Sequence, residues 1–271
     1  MNKIPLKQIP EHLYDKYTMN GLVQIRYNDE SGHSWYFNET YFSEKLPVWD
    51  NIFMQDYLND FTVEKILNFS SKKWCYGFGH LNILNSLFGL NNLGVNFLGK
   101  KIAVIGSQNP WVECICLNLG INDVTTVDYN PPICESNIIQ SISIETFLHN
   151  QDKYDIILSF SSIEHSGLGR YGDPLDPDAD LKTTALIHDK LKDDGFFILA
   201  VPIGKDAIEW NAHRIYGPIR FPKLINNFEI IDFNFYGYFQ EKIMNMEIME
   251  KIVNTNEFDH NFQPVFVLKK C

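Results

Sequence analysis

A chain of 271 residues, 45% hydrophobic and 14% aromatic, has enough apolar material for one sizeable α/β domain with an elaboration. Its formal net charge of -11 opposes polyphosphate and argues against nucleic acid as a partner, while the absence of a Lys/Arg run removes a polybasic membrane patch. The cysteines (Cys75, Cys114, Cys116, Cys134, Cys271) are odd in number and match no zinc-knuckle spacing, and neither an apolar leader nor a membrane-spanning run is present, so a cytoplasmic, thiol-reducing setting is expected.

In chain order, Leu22–Tyr27 and Ser34–Phe37 flank turn chemistry at residues 28–32, which predicts a β-hairpin. From Val48 to Phe69 apolar residues recur at helical spacing, and a further helix is expected over His80–Leu90. Residues 1–98 therefore read as an N-terminal α+β cap or lead-in, and residues 99–271 as the main domain.

That domain opens with Ile102–Ile105, an apolar run of the kind a buried parallel strand shows. Gly106-Ser107-Gln108-Asn109 follows, then a helix from Pro110 to Leu119 stopped by Gly120. Further strands are expected at Val124–Val127, Gln140–Ser143, Tyr154–Phe160 and Gly195–Val201, with helices over 144–150 and 180–191. Two last strands, Phe228–Phe235 and Pro264–Leu268, lack a strong crossover helix. This order predicts a mostly parallel sheet with a terminal antiparallel strand.

The chemistry-bearing positions fall at the carboxyl ends of these strands. Gly106 permits close backbone approach to a ligand beside a helix N-terminus, although a full nucleotide fingerprint would carry more glycines. Asp128 lies 22 residues later, the distance at which a carboxylate meets ribose hydroxyls in a Rossmann unit. In Ser159-Phe160-Ser161-Ser162-Ile163-Glu164-His165, the small hydroxyl residues allow close approach, and His165 is either a general base or a structurally bonded residue. Asp173, Asp176, Asp178 and Asp180 form a polar loop that matches no calcium-binding pattern, so no metal is expected. Asn211, His213, Arg214 and Tyr216 crowd into a second polar segment able to bind substrate or supply a base.

Taken together, VIGS, VTTVDYN, YDIILSFSSIEH and DDGFFILAVP resemble class I S-adenosylmethionine-dependent methyltransferases. GSQNPWVE, SSIEHSGLGRYGDPLDPDAD and WNAHRIYGP resemble the domain-of-unknown-function 268 family more closely. The resemblance implies a Rossmann-like fold with S-adenosylmethionine as cofactor. Gly106, Ser107 and Gln108 would lie beside its methionine part, Asp128 at the ribose, Tyr129 at the adenine and Ser161 near the methyl-donor end. It further implies an O-methyltransferase for a small polar acceptor, a sugar or nucleotide-linked sugar of a surface glycan pathway. His165 or His213 would act as base with Asp173 behind them, and Arg170, Tyr171, Arg214 and Tyr216 would hold the acceptor. The loop lacks the family pattern's second glycine, which keeps a non-catalytic binding or scaffold protein as the alternative; a nicotinamide-dependent oxidoreductase ranks third. Whether the chain forms a homo-oligomer is left open.

Overall fold

The computed structural model describes residues 8–27, 46–73, 76–235 and 263–271. Seven strands form the central sheet: β3 (Lys101–Ile105), β4 (Asp123–Asp128), β6 (Gln140–Ser143), β7 (Tyr154–Phe160), β8 (Leu191–Ala200), β11 (Phe228–Asn234) and β12 (Val265–Lys270). Their spatial order is β6-β4-β3-β7-β8-β12-β11. Strands β6, β4, β3, β7 and β8 pair in parallel, and β12 runs antiparallel to both neighbours. The fold is thus the expected Rossmann-like α/β sheet in the class I methyltransferase arrangement. The antiparallel strand is terminal in the chain but sits one place in from the sheet edge.

The chain starts the sheet at β3, moves outward through β4 to β6, then crosses back to β7. This reversal between β3 and β7 is the topological switch point, where helices leave the two strands toward opposite faces and a crevice opens.

Alternate strand residues feed two separate cores, as the pleat requires. Ile102, Val104, Ile156, Leu158, Ile198 and Val267 face one side; Ala103, Ile105, Ile157, Phe197, Leu199 and Phe266 face the other. Each buried Ile, Leu or Phe contributes about 1.5–3 kcal/mol, and Leu158→Ala would cost about 2–5 kcal/mol through the cavity it leaves. The first side is covered by α2 (Asn51–Asp60), α4 (Gly79–Asn92) and α5 (Trp111–Asn118), so residues before 98 share a core with β3. The second is covered by α6 (Ile144–His149), α7 (Ala179–Lys190) and α8 (Phe221–Leu224). The helical stretch expected over 48–69 divides into α2 and α3 (Val63–Leu67) because Asp50 and Thr62 each cap a helix start, accepting from the Phe53 and Lys65 amides.

Two smaller sheets join the N-terminal segment to the rest. β1 (Gln24–Tyr27) runs parallel to β9 (Ala207–Trp210), which pairs antiparallel with β10 (His213–Ile215). β2 (Val48–Trp49) pairs in parallel with β5 (Ile133–Cys134). The other arm of the expected hairpin, Ser34–Phe37, lies outside the described residues, as does Cys75. The polar segment of Asn211, His213, Arg214 and Tyr216 follows β9 and carries β10, and β9 pairs with β1, about 180 residues away and invisible to local pattern. At the end of α1 (Glu11–Tyr17), the buried Tyr17 hydroxyl donates to the Gly167 carbonyl at 2.5 Å.

Candidate functional site

A cavity of about 400 Å³ opens at the switch point, outside the carboxyl ends of β3, β4 and β7. The loop after β3 lines it with Gly106, Ser107, Gln108 and Asn109, the end of β4 with Asp128, Tyr129 and Asn130, and the end of β7 with Phe160, Ser161 and Ser162. Leu46 and Pro47 enter from the N-terminal segment, brought there by the β2–β5 pairing.

Gly106 has φ of +75°, and a Cβ at this position would lie 1.8 Å from the Ser162 hydroxyl oxygen. Glycine is therefore required twice, by conformation and by close approach. Its N–H donates to the Val127 carbonyl at 2.8 Å, which locks the β3 and β4 ends together. Beside it, Trp111 meets Phe160 edge-on at 5.0 Å, and Tyr76 lies 5.4 Å from Phe160, giving the cavity an aromatic wall.

Asp128 accepts from the Asn130 amide at 2.7 Å, and burial pushes its carboxyl up to about 6. It is ionised at neutral pH and can accept from a pair of vicinal hydroxyls. Tyr129 is half exposed and offers a ring face at the same edge.

Ser161 adopts φ of +50° and its hydroxyl donates to Glu164 Oε1 at 2.9 Å. Glu164 is buried, and burial pushes its carboxyl up to about 7. His165 lines the cavity with Nδ1 2.6 Å from the Ala212 carbonyl. A carbonyl only accepts, so Nδ1 carries the proton and Nε2 keeps its lone pair. Burial first, then the charges of Arg170 and His213, hold His165 well below the usual histidine range, so the ring is neutral. Glu164 Oε1 lies 3.7 Å from Nε2.

The remaining expected site residues divide. Tyr171 and Asp173 line the cavity. Asp173 spends its carboxylate on the amides of Gly167, Gly169 and Tyr171, and so shapes the loop. His213 stands behind His165, edge-on at 6.2 Å, and Arg170 lies over the Tyr171 ring; neither lines the cavity. Arg214 and Tyr216 correct the expectation that they hold an acceptor. Arg214 has no exposed surface; it donates to the carbonyls of Glu164, Ser166, Asp176 and Pro177 and pairs with Asp180. Tyr216 is equally buried and donates to Asp180 at 3.0 Å. Donors committed inside the protein cannot also reach a ligand.

The aspartates of the polar loop diverge. Asp176 pairs with Lys182, and Asp180 pairs with Arg220 at 2.5 Å. Among the described residues no group of three His, Cys, Asp or Glu side chains converges on one point. Glu113, on α5, went unnoticed in the sequence: it is fully buried directly beneath the cavity loop, bonded to Ser107 and Thr126. A lone acid in the apolar stretch WVECIC was the available signal.

A family profile described as "Caenorhabditis protein of unknown function, DUF268" matches residues 99–271, and the chain belongs to that family. A search of the curated proteins finds no match. Among solved structures, the chain is similar to the Burkholderia thailandensis 1,6-didemethyltoxoflavin-N1-methyltransferase, crystallised with 1,6-didemethyltoxoflavin and S-adenosylhomocysteine. Identity is 16% over 69% of this chain and 78% of that one, with a TM-score of 0.45. A S-adenosylmethionine-dependent methyltransferase from Clostridium acetobutylicum is 12% identical over 76% and 95% of the two chains, with a TM-score of 0.45. The magnesium protoporphyrin IX methyltransferase of Synechocystis, with bound S-adenosylhomocysteine, is 10% identical over 82% and 100%, with a TM-score of 0.42.

Proposed function

We propose that this member of the family is a S-adenosylmethionine-dependent O-methyltransferase acting on a small polar acceptor. The observation that carries the reading is the convergence of a glycine turn, a strand-end carboxylate and a neutral histidine on one switch-point cavity, at Gly106, Asp128 and His165.

The residues present fit the cofactor. Asp128, ionised at neutral pH, accepts from the ribose hydroxyls, with Tyr129 beside the adenine. Gly106, Ser107 and Gln108 border the methionine part. Ser161 and the faces of Trp111 and Phe160 suit a cationic donor end, since aromatic faces attract cations. Bound S-adenosylmethionine would supply an activated methyl group on a sulfonium. The chain's own work is to align the acceptor and take its proton.

His165 Nε2 is the base in this reading, held in one tautomer by the Ala212 carbonyl. Glu164, 3.7 Å from Nε2, stabilises the imidazolium once ionised. Turnover should therefore rise as pH passes about 7 and Glu164 loses its proton. Tyr171 and Asn130 border the acceptor side, where the Asn130 side chain donates to the Tyr171 carbonyl at 3.4 Å. The polar rim of Ser166, Tyr171 and Thr183 suits a polyhydroxyl acceptor, and the net charge of -11 favours a neutral sugar over a nucleotide-linked sugar, whose phosphates are anionic.

Calorimetric titration with S-adenosylmethionine and S-adenosylhomocysteine, of the protein and of Asp128→Ala, tests the reading. Binding lost in the variant supports it. No binding even at millimolar ligand would turn the assignment to a non-catalytic binding protein.

A further inference from the structure

Glu113 sits in the first turn of α5 with no exposed surface. Oε1 accepts from the Thr126 hydroxyl of β4 at 2.8 Å, and Oε2 lies 3.1 Å from the Ser107 hydroxyl of the cavity loop. Ser107 Oγ is also 2.9 Å from the Asn109 carbonyl. A serine hydroxyl has one proton, and a carbonyl only accepts. When Ser107 donates to Asn109, its contact with Oε2 is a hydrogen bond only if Glu113 itself carries a proton.

The surroundings favour that neutral form. Asp128 at the end of β4 disfavours a second negative charge, and the thiols of Cys134 on β5 and of Cys114 and Cys116 on the same helix, raised by burial, stay neutral and supply no counter-ion. From α2, Asp60 is committed to the Lys72 and Lys73 amides, and Tyr57 lies under the Lys73 ammonium. From α4, His80 packs edge-on against Phe61. Among the described residues no cation pairs with Glu113. A carboxylate buried without a counter-ion is costly, whereas a neutral acid with both oxygens bonded is not. Burial accordingly pushes this carboxyl up to about 7.

We propose, resting on the cofactor reading of the cavity, that Glu113 is a positioning residue whose protonated form sets the cavity loop through Ser107. Ionisation reverses the bond: Ser107 turns its proton to the carboxylate, and the Asn109 carbonyl loses it. The loop that borders the cofactor is then held at one fewer point.

Glu113→Gln is the discriminating variant. Its amide accepts from Thr126 and donates to Ser107, as the neutral acid does, at every pH. S-adenosylhomocysteine affinity is measured by calorimetry at about pH 6.5 and about pH 8.5, and thermal denaturation of the ligand-free proteins is followed from about pH 4.5 to about pH 8.5. The two proteins should bind alike at the lower pH. At the higher pH the variant should bind about 3–10-fold tighter, the worth of one hydrogen bond.

Because the folded acid holds its proton above the ordinary value of 4.5, its stabilising contribution is complete below that value and is lost as pH rises to about 7. The native protein should therefore lose thermal stability relative to Glu113→Gln as pH rises. Affinity and stability curves that stay parallel for the two proteins would overturn the proposal. If neither protein binds the ligand at any pH while the stability curves still diverge, the cofactor reading and the loop's role in it fall, and only the buried proton survives.

Discussion

Two sets of buried acidic residues lie on either side of His165 and behave oppositely. On the cavity side, Glu113, Asp128 and Glu164 make no ion pair with Lys or Arg among the described residues, and burial raises all three, to about 7, 6 and 7. Behind it, Asp180 is buried as deeply but meets Arg214, Arg220 and the Tyr216 hydroxyl, and is lowered despite its burial. Asp206 in the same region accepts from the amides of Gly217, Ile219 and Arg220. Burial alone thus decides nothing: desolvation dominates where counter-charge is missing, and the ion pair dominates where it is supplied. The cavity side keeps acids that can change state near neutral pH, and the far side holds Asp180 in its charged form.

The largest effect is expected at His165, where the two sets meet. His165→Ala should lower turnover by about 10²–10⁴-fold while leaving S-adenosylhomocysteine affinity close to native, as read by calorimetry. His213→Ala, one layer back, should lose less turnover than His165→Ala; equal losses would make His213 part of the base. On the paired side, Asp180→Ala leaves Arg214 and Arg220 buried without their carboxylate. It should cost about 3–5 kcal/mol in denaturant unfolding, and a near-neutral result would break the comparison.

On the cavity side, Asp128→Ala should weaken cofactor binding by about 1.5–3 kcal/mol, the worth of hydrogen bonds to a charged group, with little effect on unfolding. The smallest effect on stability is expected from Glu164→Gln. It keeps the Ser161 contact and removes only a proton equilibrium, so it should flatten both the rise of turnover through about pH 7 and the loss of stability over that span. A variant whose pH profile matches the native one would show that Glu164 does not titrate.

Much of this was legible in the chain's local pattern. Ile102–Ile105 and Tyr154–Phe160 are apolar because both faces of their sheet are covered, and the strands ran where expected. Gly106 and Asp128 were legible through spacing, since one βαβ crossover fixes how far apart two strand ends fall. The strand expected from Gly195 starts earlier: Leu191 pairs with Tyr154, and residues 192–195, with Asp194 at φ of +61°, fall in the register shift before Phe196 pairs with Ile156. The turn-forming run Lys192-Asp193-Asp194-Gly195 thus makes a bulge within β8 rather than ending the strand.

What the sequence determined by itself was the series of strands and helices and the positions at their ends, because period, caps and turn residues act over a few neighbours. The tertiary structure alone decided which polar residues face the cavity. Arg214 and Tyr216 stand in the same polar run as His213, but Asp180, over thirty residues earlier, claims both. Glu113 became part of the site only because β4 carries Thr126 alongside it and the loop after β3 turns Ser107 back over it. Such roles depend on partners distant in the chain, and the charge a buried group carries is set by those partners rather than by the residue itself.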